Sequence, residues 1–156
     1  MANELTQRLD AAWSALRASA DRLVSDGLEK PTPAGWTAKE MLGHIAFWDE
    51  CVEPVVIGLL RGDVERMGGW KFGSGFVADN DGEWPPEDVH NAREAAWARE
   101  QTVETVLARV DAAHAGAISA IAGFTAEELA DEKFIDYVDN CASHYAGHAA
   151  ELASLD

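Results

Sequence analysis

Basic residues are scarce in this chain: 12 Lys and Arg stand against 28 Asp and Glu, a formal charge of −16. A surface that acidic repels a phosphate backbone, so nucleic acid is excluded as the main partner. The acids are spread along the sequence and not gathered in one tail, which fits a solvated exterior. No apolar run reaches the roughly 18–20 residues needed to cross a bilayer. The longest near-apolar stretch, 55–60, lies in a segment that also carries Asp49, Glu50 and Glu53. The opening MANELTQRLD has charges in its first turns and no apolar signal core, so a cytoplasmic location is expected, with no membrane partner. Cysteine is nearly absent. Cys51 and Cys141 fall on segments of helical pattern, and two Cys in a short cytosolic chain are read as reduced, packed thiols and not as a disulfide framework. Also missing are a nucleophile motif, a phosphate loop, a dinucleotide fingerprint, an internal repeat and any βαβ alternation.

What is present is apolar and helical in pattern. Of the 156 residues, 47% are hydrophobic, which excludes wholesale disorder. The length suits one domain, 1–156, that buries roughly two-thirds of its unfolded surface. Leu5, Leu9, Trp13, Leu16, Leu23 and Val24 recur at helical spacing and predict a first helix over 3–25, with Gly27 as its stop. A Pro-rich link, KPTPAGW, follows. Thr37-Ala-Lys-Glu40 is a capping-box pattern that opens a second helix. Its apolar face is Met41, Leu42, Ile45, Trp48, Val52, Val55, Val56 and Leu59, and Pro54 predicts a bend near Cys51.

Residues 63–85 differ from the rest. Seven of the thirteen glycines lie between Gly58 and Gly82, together with Trp70, Phe72, Phe76 and, at its end, Trp84. Aromatics in a long link argue for packing back over the body, as a lid or crossover. A third helix is predicted from Pro85-Pro86-Glu87-Asp88 to about Ala122, with a stripe of Val103, Leu107, Val110, Ala117 and Ile121. Thr125-Ala-Glu-Glu128 is a second capping box, and a fourth helix covers about 135–155. The fold class expected is all-α, a four-helix bundle with a long crossover link between helices two and three.

Chemistry is concentrated in the histidines, of which there are five. His144 and His148 are four residues apart, which stacks two imidazoles on one helix face. That face also carries Tyr137, Cys141 and Leu152 and is expected to look inward. His44 lies one turn after Met41 and one turn before Trp48. Three neutral imidazoles from two helices can hold a divalent ion while leaving a coordination position open, which is the pattern of catalytic and not of structural sites. The plainer alternative is that these histidines are core residues with satisfied hydrogen bonds.

The segment Gly35-Trp-Thr-Ala-Lys-Glu-Met-Leu-Gly-His44-Ile-Ala-Phe-Trp-Asp49 resembles the second-helix signature of the DinB-like (DNA-damage-inducible) superfamily, and His144-Tyr-Ala-Gly-His148-Ala-Ala-Glu-Leu resembles its last-helix HxxxH. Asn91-Ala-Arg93 and Phe124-Thr-Ala-Glu-Glu-Leu129 resemble it more weakly. The resemblance spans nearly the whole chain. It implies a four-helix bundle with a nickel, zinc or similar divalent ion on His44, His144 and His148. It also implies kinship with enzymes that use low-molecular-weight thiols such as mycothiol or bacillithiol. Some isomerases of that kind carry a Glu where this chain has a His. Relatives often dimerise, so a homodimer is an expectation.

Around the triad, Asn140, Cys141 and Glu151 are candidates to join or orient the ligands. Trp48, Trp70 and Trp84 are candidate pocket walls, Trp48 being the better fit to core packing. His114, near the stripe of helix three, reads as a core residue or a further ligand or base. His90 reads as a surface or capping residue. The function expected is a divalent-metal-binding protein, a metal-dependent thiol transferase or hydrolase acting on an electrophilic small-molecule substrate. The alternative is a non-catalytic small-molecule-binding or self-protection bundle with a structural metal.

Overall fold

The structure is a computed structural model that describes residues 2–23, 25–57, 68–78 and 85–155. Every regular element among them is helical, apart from two isolated bridges, Pro31 with Thr37 and Lys71 with Val77. There are seven α-helices among the described residues: α1 Ala2–Arg22, α2 Ser25–Leu28, α3 Ala38–Glu50, α4 Glu87–Glu100, α5 Val103–Ala122, α6 Ala126–Ala130 and α7 Glu132–Ala153. A π-helical segment, Val52–Ile57, continues from α3. The all-α class stands. The third predicted helix is in fact two, α4 and α5. Compact packing groups the chain as Met1–Ala38 with Ile121–Asp156, and as Lys39–Ala120.

In the first unit, α1 packs along α7. Leu5, Leu9, Leu16 and Ala20 of α1 are buried at helical spacing, as are Phe134, Val138, Tyr145 and Leu152 of α7. Trp13 and Leu23, expected in the same stripe, are half-buried. The second capping box forms as its sequence suggests. Thr125 Oγ1 accepts from Glu128 N, and Thr125 N donates to the Glu128 carboxylate at 2.8 Å. Asp131 then caps α7 by accepting from Lys133 N at 2.8 Å, which starts that helix three residues earlier than the apolar pattern indicates.

In the second unit, Met41, Leu42, Ile45, Ala46 and Phe47 of α3 are all but inaccessible. Gly43 permits close approach to α4: a Cβ there would meet the Ala98 Cβ at 2.6 Å. The helix ends where Pro54 was expected to bend it. Proline lacks an N–H and crowds the preceding turn, and the chain answers by widening into the π segment that contains it.

The break between α4 and α5 comes from capping, not from Gly or Pro. Gln101 is extended at φ −98° and ψ 160°. The Thr102 hydroxyl accepts from Thr105 N at 3.2 Å. Lys39 Nζ donates to the carbonyls of Gln101 at 3.0 Å and Arg99 at 3.4 Å, satisfying acceptors that a helix end leaves orphaned. Glu40, expected to serve the capping box of α3, accepts from Arg99 Nε at 2.6 Å.

A charged cluster sits inside this unit. Glu94 is inaccessible and Arg109 nearly so. Arg109 donates through Nε and Nη2 to both oxygens of Glu50, at 2.9 and 2.8 Å, and through Nη1 to Glu94 at 2.8 Å. Glu94 also accepts from Arg93 and from Ser74 Oγ, each at 2.9 Å. The Gly73 amide donates to Glu50 at 3.1 Å, and a Cβ on Gly73 would strike Glu50 and Arg109. Of the link read as a lid or crossover, residues 68–78 are folded down by these bonds and by a tight turn in which Gly75, at φ 89°, donates to the Phe72 carbonyl. Phe72 and Ala78 pack with Phe47 and Cys51. The remainder of that link lies outside the described residues.

Truncating Arg109 strands two carboxylates, one of them fully buried. Arg109→Ala should therefore cost about 3–5 kcal/mol, read as a lowered urea midpoint. A loss below about 1 kcal/mol would show that the cluster is solvated.

Candidate metal centre

The two histidines of α7 lie on a half-buried edge of the helix, beside its buried face and not on it. Tyr137, Cys141, His144, His148 and Glu151 follow one another at helical spacing, and all five are partly exposed. The expectation of an inward-looking face is corrected to this extent: Phe134, Val138, Tyr145 and Leu152 are the buried set. The HxxxH spacing does what it predicts. The His144 and His148 rings meet edge to face with centroids 4.5 Å apart, and their Nε2 atoms are 2.9 Å apart.

Ring tautomers follow from the partners. His148 Nδ1 is 2.7 Å from Glu151 Oε2. A carboxylate only accepts, so Nδ1 carries a hydrogen, and in the neutral ring Nε2 keeps its lone pair. His44 is buried on α3, with Nδ1 at 2.6 Å from the Met41 carbonyl. By the same argument its Nδ1 carries a hydrogen, and in the neutral ring the lone pair is on Nε2. His44, His144 and His148 each offer one ring nitrogen, and these atoms all lie within 4.8 Å of one another. Such a group can hold a metal ion, and the donor set fits one: neutral imidazoles, two of them with the second nitrogen already engaged in the way metal-bound histidines require.

His144 stays neutral. Burial is the main cause, the adjacent His148 adds to it and Glu151 opposes it, and the result is a fall from 6.5 to about 4. The imidazole is thus available as a ligand well below neutral pH.

The other candidates separate cleanly. Asn140 is exposed. Cys141 is a half-buried thiol, in no disulfide and outside the group of three. Trp48 is a packing residue: it meets Phe47 edge to face at 5.0 Å and donates from Nε1 to Asn91 Oδ1 at 2.9 Å. That bond gives the Asn91-Ala-Arg93 motif a structural task. Trp70 packs against the same aromatic cluster and lines a cleft of about 380 Å³ with Asp49, Glu53, Lys71 and Arg109. Trp84 lies outside the described residues. His114 is buried on α5 and outside the triad.

His90 departs most from expectation. Read as a surface or capping residue, it is fully buried, stacked on Phe47 at 4.7 Å with its Nδ1 2.8 Å from Arg93 Nη2. Burial first, and the Arg93 charge second, push its pKa from 6.5 to about 4. The thiol of Cys51 is pushed well up by burial and then by the charges of Glu50 and Glu94, against Arg93, which makes it a poor nucleophile. Sequence reasoning missed Glu50, Glu94 and Arg109 altogether. Charges on amphipathic helices read as solvated, and only Arg93, in a motif already noted, hinted at a buried partner.

A family model described as the DinB superfamily matches residues 8–151. No curated protein and no solved structure matches the chain.

Two imidazoles that are neutral when folded take up protons near pH 6.5 when unfolded but only near pH 4 when folded. The unfolded state binds more protons in that window, so stability is complete above pH 6.5 and falls as pH drops toward 4. The urea midpoint of the ion-free protein should decline from pH 7 to pH 5. His90→Gln should decline less steeply. An identical slope in the two proteins would show that His90 is accessible to protons in the folded state.

Proposed function

The chain belongs to the DinB superfamily, and from that premise we propose that it is a metal-dependent enzyme whose ion is held by His44, His144 and His148. The observation that carries the reading is the group of three imidazoles, to which no Cys, Asp or Glu adds a fourth ligand atom among the described residues. Four protein ligands close a structural zinc site; three leave a position for water or substrate. Imidazole suits zinc and nickel, the two ions favoured here. When bound, such an ion supplies Lewis acidity that lowers the pKa of a coordinated thiol or water.

The reaction proposed is transfer of a low-molecular-weight thiol, or of water, to an electrophilic small molecule. The chain's own part is to present three neutral rings. The Met41 carbonyl holds the tautomer of His44, and burial keeps His144 unprotonated near neutral pH. The thiol rests on the family resemblance, as does a homodimer, and a cytoplasmic setting rests on the composition.

His44→Ala should bind ion more weakly by more than the roughly 10–100-fold that loss of an outer partner costs, and turnover should vanish with it. Metal content of the purified protein and isothermal titration with zinc or nickel check this. Full turnover in the variant would sink the reading. Stoichiometric ligand uptake with no product release would assign the protein to non-catalytic binding instead.

A further inference from the structure

We propose that Glu151 is a positioning residue of the metal centre: its carboxylate fixes the tautomer and ring orientation of His148, so that Nε2 of that ring is aimed at the ion. The inference rests on the metal reading of the triad and adds a residue to it.

Three observations lead to it. Glu151 Oε2 lies 2.7 Å from His148 Nδ1, a charge-assisted distance. Nε2 on the far side of the same ring points at His144 Nε2, 2.9 Å away. With His148 neutral and its hydrogen on Nδ1, the bond between the rings is donated by His144 to the lone pair of His148. That lone pair is the one an ion would use, and Glu151 decides where it points.

The third observation is the place of the acid. Glu151 is two residues from the end of α7, Glu132–Ala153. A carboxylate is unfavourable at a helix C-terminus, where the dipole is negative. The pair is also partly exposed, with 19% of the His148 and 31% of the Glu151 side chain accessible. A partly exposed pair of this kind adds little to folding, less still when its imidazole is neutral. Structural considerations alone would therefore leave Glu151 neutral or unhelpful, whereas a histidine ligand needs an acceptor on its second nitrogen.

The test is a titration of the full chain with zinc and with cobalt(II), whose visible spectrum reports ligand geometry. Glu151→Ala should weaken binding roughly 10–100-fold and alter the cobalt spectrum. Glu151→Gln should recover most of the affinity, because its amide oxygen still accepts from Nδ1–H. The ion-free melting temperature of Glu151→Ala should equal or exceed that of the parent chain. Parental affinity in Glu151→Ala overturns the proposal. So does equal weakening in the Ala and Gln variants, which would make the charge and not the orientation responsible. A drop in ion-free melting temperature that accounts for the lost affinity overturns it as well. If the parent chain binds neither ion, the metal reading falls and this falls with it. If the parent binds, His148→Ala does not and Glu151→Ala does, only the present inference fails.

Discussion

The burial of α3 is the constraint from which much of this protein follows. Residues 38–47 have almost no accessible surface, and that run includes Lys39, Glu40 and His44. A helix without a wet face cannot leave polar groups to water, so each must find a partner in the protein. Lys39 finds the carbonyls at the end of α4, Glu40 finds Arg99, and His44 finds the carbonyl one turn back. The first of these bonds helps to divide what the apolar pattern presents as one long helix. The last determines which nitrogen of His44 carries the hydrogen.

The same logic governs the charged cluster. A guanidinium taken out of water is costly, and its cost is offset only when its donors are matched. Arg109 places three N–H groups on two carboxylates. Burial weighs against its charge, but the bonds and charges of Glu50 and Glu94 outweigh that and hold its pKa above the ordinary value. The cluster also draws Ser74 and Gly73 down, so part of a glycine-rich link is held by charge as well as by its aromatic rings. The predicted packing of Phe72 and Phe76 and the unpredicted salt bridges serve one end.

Legibility in the sequence followed the range of the forces involved. The capping box at Thr125, the interruption at Pro54 and the meeting of His144 with His148 are interactions within a few residues, and their spacing announced them. The break at Gln101 did not announce itself, because Lys39, more than sixty residues away, satisfies the carbonyls there. His90 was misjudged for the same reason: near a helix start it reads as exposed, and only the Phe47 ring stacked on it makes it core.

The sequence by itself determined the helical class, most helix starts, the family, and the three histidines, since periodicity and motif order are properties of neighbours along the chain. Tertiary structure decided which nitrogen of His44 and of His148 faces an acceptor, that α7 offers its pair from a half-buried edge, and that two glutamates and an arginine belong inside. Those outcomes depend on what lies opposite each side chain in space. A charged residue carries no mark in the sequence that says whether water or a counter-charge will face it.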